Sequence, residues 1–194
     1  VTRAFLDIDG VLADFTAGVH KKLGIPFDYN KWPYKFGPEG WYFHEEIGMT
    51  FNQLSDICDF DFWANLPWCP DGKAILDAVL GLVQPDQITL LTMPMPHVMS
   101  ASGKVAWIEN HMPDFKWRMM ICLDKKRILA QVPDAILIDD CQKNIDQWRA
   151  AGGRAVLVPR PWNNLYKRRD IATTMVRAVL ESELHQMQVK LEAA

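Results

Sequence analysis

Phe5-Leu6-Asp7-Ile8-Asp9-Gly10-Val11-Leu12-Ala13-Asp14-Phe15 is an apolar run that ends in two carboxylates and a glycine. The lead-in Ala4, Phe5 and Leu6 suits a buried parallel strand, Gly10 permits a tight turn or a close ligand approach, and Asp14 is placed to cap a helix starting near Phe15. The strand therefore delivers Asp7 and Asp9 to the carboxyl edge of a sheet. Residues two apart on a strand point to the same side, so both carboxylates face one small volume, where their repulsion favours a bound cation or a shared proton. A polar loop with an acidic helix cap is the plainer reading. It leaves an acid pair directly after a buried strand without a partner, which is costly.

Outward from this stretch, Phe15, Val19 and Leu23 recur at helical spacing, and Gly24-Ile25-Pro26 stops the helix. Residues 25–69 then change character. Tyr29, Trp32, Tyr34, Phe36, Trp41, Tyr42, Phe43, Phe51, Phe60, Phe62, Trp63 and Trp68 are interrupted by prolines and glycines, a pattern too irregular for a strand–helix repeat. A small, mostly helical insertion over the edge where Asp7 and Asp9 emerge is expected, its aromatics divided between packing and an apolar roof for a flat ligand.

Regularity returns after Pro70: a helix over Ala74 to Val83, a strand Gln87 to Thr92 ending in a hydroxyl and followed by Met93, and a helix from Ser102 to about His111 carrying Lys104. A third strand is expected over Trp117 to Cys122, a short helix over Lys125 to Gln131, and a fourth strand at Ala135 to Ile138 ending in Asp139-Asp140. A helix to about Ala151, a strand Arg154 to Val158, the loop Pro159-Arg160-Pro161-Trp162 and a long helix from about Asp170 to Leu191 complete the chain. Strands alternating with helices predict an α/β, Rossmann-like, doubly wound parallel sheet with a small, mostly helical cap inserted after the first strand. The division expected is a core of 1–14 and 70–194 and an aromatic-rich cap of 15–69.

With 194 residues and 49% hydrophobic content the chain can bury a sizeable core. Its 21 Lys and Arg against 24 Asp and Glu give a net charge of −3, so no global field attracts a nucleic-acid polymer, and an anionic substrate needs a local device such as a metal. Cys58, Cys69, Cys122 and Cys141 never pair as CxxC, so buried free thiols are expected rather than a zinc or redox site. No apolar run approaches the ~20 residues a membrane span needs, and the chain opens on a core strand rather than a signal peptide. No membrane partner and a cytoplasmic location are the expectations.

In a parallel α/β sheet, ligands lie outside the carboxyl ends of the strands, where Asp7 and Asp9, Thr92, and Asp139 and Asp140 all fall, with Lys104 in the helix entered from the Thr92 loop. Oxygen-only ligands are the set a hard cation such as Mg²⁺ prefers, commonly with waters and a phosphate beside one or two carboxylates.

The motif DIDGVLADF, Thr92, Lys104 and Asp139-Asp140 resemble the four signature motifs of the haloacid dehalogenase-type phosphatases. Within that superfamily the chain resembles the 5'(3')-deoxyribonucleotidase family, through DGVLADF, FWANLPWCPDG before the 74–83 helix, GKVAWIE around Lys104, LDKK at 123–126 and ILIDD at 136–140. Met93 stands where that family usually has a phosphate-holding serine, and Leu123 where an arginine often precedes the Asp-Lys pair.

The resemblance implies a Mg²⁺-dependent phosphomonoesterase. Asp7 is the implied nucleophile and forms an aspartyl-phosphate; Asp9 protonates the leaving oxygen and then deprotonates the hydrolytic water. The implied Mg²⁺ ligands are the Asp7 carboxylate, the Asp9 backbone carbonyl, Asp139 and a phosphate oxygen; Thr92, Met93 and Lys104 hold the phosphate, with Asp140 and Lys125 behind them. Phe15 matches the position whose ring stacks on a nucleobase, and Phe62 and Trp63 the further walls of that pocket. An acid at position 9 favours a phosphatase over the superfamily's ion pumps and dehalogenases. The implied substrate is a (deoxy)ribonucleoside monophosphate; another small phosphate ester, or ligand binding without catalysis on the same fold, are the alternatives. A homodimer is left open.

Overall fold

The computed structural model describes residues 3–28 and 43–192; Tyr29, Trp32, Tyr34, Phe36, Trp41 and Tyr42 lie outside the described residues. The sheet has five strands: β1 (Ala4–Leu6), β2 (Ile88–Thr92), β3 (Met119–Ile121), β4 (Ile136–Asp139) and β5 (Arg154–Leu157). Their spatial order is β3-β2-β1-β4-β5 and every pairing is parallel. The winding reverses between β1 and β4, where Leu6 lies opposite Ile138 and the Asp7 N–H donates to the Ile138 carbonyl at 2.9 Å. Such a switch point opens a crevice at the carboxyl ends of the strands. Asp7 and Asp139 stand on its two sides.

Alternation along the strands sorts the core into two clusters. Ala4, Leu6, Ile88, Leu90, Ile136, Ile138 and Val156 face the larger one, with α1 (Phe15–Leu23), α5 (Gly72–Leu80), α6 (Ser100–His111) and α8 (Ala172–Glu192). Phe5, Leu91, Leu137, Ala155 and Leu157 face the other, built from Ile145 and Trp148 of α7 (Gln142–Ala150) and from Ile128 and Leu129. Burial on both faces explains why these strands read as unbroken apolar runs.

Local chemistry sets the ends of the elements. Asp14 caps α1 by accepting the Ala17 N–H at 2.9 Å, and Gly24 ends it at φ +68°. Along the chain between α1 and Phe60, the described residues include α2 (Phe43–Glu46) and α3 (Phe51–Ile57), the latter opened by a Thr50–Gln53 capping box. The one-turn α4 (Phe60–Ala64) packs across α6 so closely that a Cβ on Gly103 would strike the Trp63 side chain. Trp107 of α6 donates its indole N–H to the Leu66 carbonyl at 2.8 Å, fixing the segment after α4 to the same helix.

Several bounds differ from the sequence expectation. Strand β3 is shorter than 117–122 because the chain enters it from a 3₁₀ turn over Pro113–Phe115, with Arg118 bonded back to Phe115, and leaves Trp117 at 88% exposure. Residues Lys125–Ala130 form a 3₁₀ rather than an α-helical turn, and another over Tyr166–Ile171 delays α8 to Ala172. Helix α5 begins at Gly72 and ends at Leu80, and α6 begins at Ser100. All four cysteines are free; Cys58 and Cys69 are buried, whereas Cys122 and Cys141 are only half-buried. Among the described residues no helix is long and apolar enough to cross a membrane.

Gly10 turns the chain after the acids at φ +73°, a conformation that disfavours any side chain, and a Cβ there would run into the Asp140 carboxylate. Arg160, beyond β5, clasps this turn from behind. Its guanidinium donates to the Gly10 and Val11 carbonyls, to Pro159, and in a two-pronged pair to Asp71 at 2.8 and 2.9 Å. Removing it would leave buried carbonyls without a donor. Arg160→Ala is expected to lower unfolding free energy by about 3 kcal/mol, read from the urea midpoint at unchanged slope.

Candidate active site

Asp7 and Asp9 follow β1, Thr92 ends β2, Asp139 ends β4, Lys104 lies in α6 and Lys125 opens the 3₁₀ turn after β3. Asp7, Asp139 and Asp140 are buried, each offering a carboxylate oxygen within 4.8 Å of the others. Lys125 reaches into this cluster, with Nζ 2.7 Å from Asp7 Oδ2 and 2.8 Å from Asp139 Oδ2. Asp139 also accepts from the Cys141 N–H at 2.7 Å and Asn144 Nδ2 at 3.0 Å. The indole N–H of Trp162 holds Asp140 at 2.5 Å, and Asn163 ties the Asp140 carbonyl to that of Val158.

Three acids and one ammonium at this depth are an unstable set of charges. Burial pushes the Asp7 carboxyl well above its ordinary value, with the Lys125 ammonium opposing and the charges of Asp139, Asp140 and Asp9 adding to the push. Burial likewise raises Asp140 to about 7, helped by Asp139 and resisted by the Trp162 bond. Burial works against the charge of Lys125 too, but Asp139 and Asp7 outweigh it and hold the ammonium firmly protonated. The donor set is all oxygen, closely grouped and over-charged, and so fits a hard divalent cation.

Asp9 has different partners. Its Oδ2 is bonded by Lys104 Nζ and accepts from the Thr92 hydroxyl at 3.2 Å, while Oδ1 is buried and has no hydrogen-bond partner among the described residues. Lys104 Nζ also donates to Thr92 Oγ1 at 2.9 Å and to the Met93 carbonyl at 2.6 Å, and sits 4.7 Å from the Trp63 ring centroid.

Most of these groups, though neither Thr92 nor Asp139, line one cavity of about 430 Å³. Asp7, Asp9, Lys104, Lys125 and Asp140 form its polar end; Phe15, Phe51, Trp63, Met93, Met95 and Trp162 give it apolar walls. Phe15 is stacked on Trp63 with centroids 5.2 Å apart and meets Phe62 edge-on at 5.5 Å.

Most residues singled out from sequence meet here. Phe62 is not among the lining residues: it packs against Phe15, and the exposed Phe51 lines the cavity instead. Neighbours on a helix point about 100° apart, and here that turn leaves Trp63 on the cavity and Phe62 against Phe15. Lys125, expected behind the reacting groups, touches Asp7 directly, and Asp140, expected there to bind a metal water or to orient Lys104, has its carboxylate beside those of Asp7 and Asp139. Asn144, Arg160, Trp162 and Phe51 escaped notice. The first lies one helical turn past Asp139 and the next two follow the β5 strand end, positions that the sheet-edge rule already favours.

The fold is similar to that of a haloacid dehalogenase-like family hydrolase from Streptococcus pneumoniae, with a TM-score of 0.52 and 17% identity over 86% of this chain and 90% of that one. In sequence, 145 residues are 28% identical to the mitochondrial 5'(3')-deoxyribonucleotidase of Mus musculus, covering 71% of this chain and 64% of that relative. The family model described as 5' nucleotidase, deoxy (pyrimidine), cytosolic type C protein (NT5C) matches residues 2–185, and the chain belongs to that family.

Metal-free protein should lose stability with rising pH. The native pKa of Asp140 is raised from 3.8 to about 7, so between those values the folded state keeps a proton that the unfolded state has lost, and unfolding becomes easier as pH rises through the window. Asp140→Asn is expected to remove part of this slope and to be more stable than the parent near neutrality, as read from urea midpoints at several pH values in chelator.

Proposed function

We propose that the chain is a phosphomonoesterase of the 5'-nucleotidase type that dephosphorylates (deoxy)ribonucleoside monophosphates through an aspartyl-phosphate on Asp7. The observation that carries this reading is the juxtaposition in one cavity of a buried carboxylate touching an ammonium, Asp7 and Lys125, with aromatic walls at Phe15, Trp63 and Phe51. The polar end suits a phosphoryl group and the walls suit a flat base.

Asp7 attacks phosphorus in line as the ester oxygen departs, and Asp9 delivers the proton to that oxygen. Water then attacks the aspartyl-phosphate, giving its proton back to Asp9 and freeing Asp7. Lys125, bonded to Asp7 and Asp139, has a third N–H to give to a phosphoryl oxygen. Asp7, Asp139 and Asp140 supply carboxylates for Mg²⁺, which when bound offsets the repulsion between an anionic nucleophile and an anionic ester. Residues 15–69 act as a cap on the core of 1–14 and 70–194, and the partner is a small phosphate ester.

The test is phosphate release from a panel of nucleoside monophosphates and sugar phosphates, with Mg²⁺ and with excess chelator. Nucleotides should be preferred and activity should vanish without metal. Asp7→Asn, nearly isosteric, should fold and lose all turnover; hydrolysis near the parent's rate would rule Asp7 out as the nucleophile.

Phe15 is both wall and packing, being 3% exposed between Phe62 and Trp63. Phe15→Ala should therefore weaken nucleotide binding by about 1–3 kcal/mol, seen as a raised KM, while leaving KM for a small aryl phosphate nearly unchanged. The same variant should lose about 3 kcal/mol of stability.

A further inference from the structure

Three lysines line the cavity, Lys104, Lys125 and Lys143, and they differ in what their ammonium groups are free to do. An ammonium has three N–H donors. Those of Lys104 meet three protein acceptors, Asp9 Oδ2, Thr92 Oγ1 and the Met93 carbonyl, and its side chain is 2% exposed. Lys125 bridges Asp7 and Asp139 and keeps one donor. Lys143 is exposed and has no hydrogen-bond or ion-pair partner among the described residues. All three of its donors are open to a ligand. Its position is also unfavourable for a cation without one: Lys143 is the second residue of α7, in the first turn, where the helix dipole disfavours positive charge and no acid stands to offset it. The acid one turn further on, Asp146, accepts instead from Gln142 Nε2 at 2.8 Å. A residue that breaks a local rule on the wall of a cavity marks a functional position.

We propose that Lys143 is the cation that captures the substrate's phosphoryl group, the role expected of Lys104. The inference rests on the phosphatase reading above and names the side chain that holds the anion. The turn carrying Lys143 is fastened to the reacting end: the Cys141 N–H and the Asn144 amide, on either side of Lys143 in sequence, both donate to Asp139, and Lys125 links Asp139 to Asp7. From that turn a flexible four-carbon stem carries a point charge that swings onto an anion once it arrives. Lys143 makes and breaks no covalent bond. Its loss is therefore felt in binding and in the salt dependence of capture rather than in the chemical step.

Two measurements separate a phosphoryl-holding lysine from a solvated one and from one that meets the sugar or base. Lys143→Met, Lys143→Glu and Lys143→Arg are assayed for kcat and KM on the nucleotide that the parent hydrolyses best, at several salt concentrations. The Kd for inorganic phosphate, which has neither sugar nor base, is measured on each by calorimetry with Mg²⁺ present. Lys190→Met, near the end of α8 and outside the cavity lining, removes the same charge and is the control for net charge. The Lys143 side chain is exposed and without a partner, so its variants should fold, and thermal transitions check that they do.

Lys143→Met should raise KM and the phosphate Kd together by about tenfold, the loss of one charge-assisted hydrogen bond, while kcat changes by less than about threefold. The salt dependence of kcat/KM should become shallower, Lys143→Glu should weaken phosphate further, Lys143→Arg should recover most of the affinity, and Lys190→Met should behave as the parent. A phosphate Kd within about twofold of the parent's in Lys143→Met would overturn the proposal: with KM raised, Lys143 meets the sugar or base, and with KM unchanged it is only solvated. A fall in kcat with KM and the phosphate Kd held would overturn it as well, placing Lys143 in the chemical step. A parent that releases phosphate from no ester would overturn the phosphatase reading instead, and the phosphate titration would still decide for or against Lys143 as the holder of the anion.

Discussion

The arrangement of the crevice follows from a single constraint: Asp7, Asp139 and Asp140 are gathered where water barely reaches, against one ammonium. A buried carboxylate without compensation would shift its pKa or force the structure open. Lys125 meets the problem in part, bridging Asp7 and Asp139, and the backbone N–H of Cys141 and the Asn144 amide share the load on Asp139. The remaining negative charge fits a cation, which the proposed chemistry needs in order to admit an anionic ester.

Such a cluster survives only if the backbone carrying it cannot relax. The turn after Asp9 is fixed by the left-handed Gly10, and Arg160 fastens the Gly10 and Val11 carbonyls to Asp71 at the start of α5. Trp162 and Asn163, from the same loop, hold Asp140. The segment after β5 thus contributes no reacting atom to the proposed chemistry. It gives rigidity to both acid-bearing loops at once.

The acids were legible in the sequence because each follows a run that only a buried parallel strand explains, and chain order alone puts such strand ends on one edge. Asp14 and Gly24 were legible for the same kind of reason, a local rule with a local outcome. What sequence could not settle was which lysine meets which acid. Lys104 and Lys125 both lie near the sheet edge, and their separation depends on α6 and the 3₁₀ turn approaching the crevice from different elements. The roles of Phe62 and Phe51 were hidden for a different reason. The rotation of the single turn of α4 is set by its packing on α6 and Gly103, which aromatic content does not encode. Arg160 reads in sequence as one more basic loop residue, and its burial at 4% exposure is purely tertiary.

The close seat of Trp63 on Gly103 has a consequence for how this pocket could be reshaped. Gly103 and Lys104 are adjacent on α6, so the aromatic wall and the ammonium beside Asp9 ride on the same turn of helix. Widening the cavity by disturbing Trp63 would transmit strain to that ammonium, and tilting α6 would move wall and ammonium together. The Phe51 side has no such linkage to Asp9 among the contacts described, whereas Met95 is tied to α6 through Ser100. Variation in ligand size is therefore most easily accommodated along the Phe51 flank, whether by natural drift or by design, while the Trp63 flank stays tied to the turn of helix that carries Lys104.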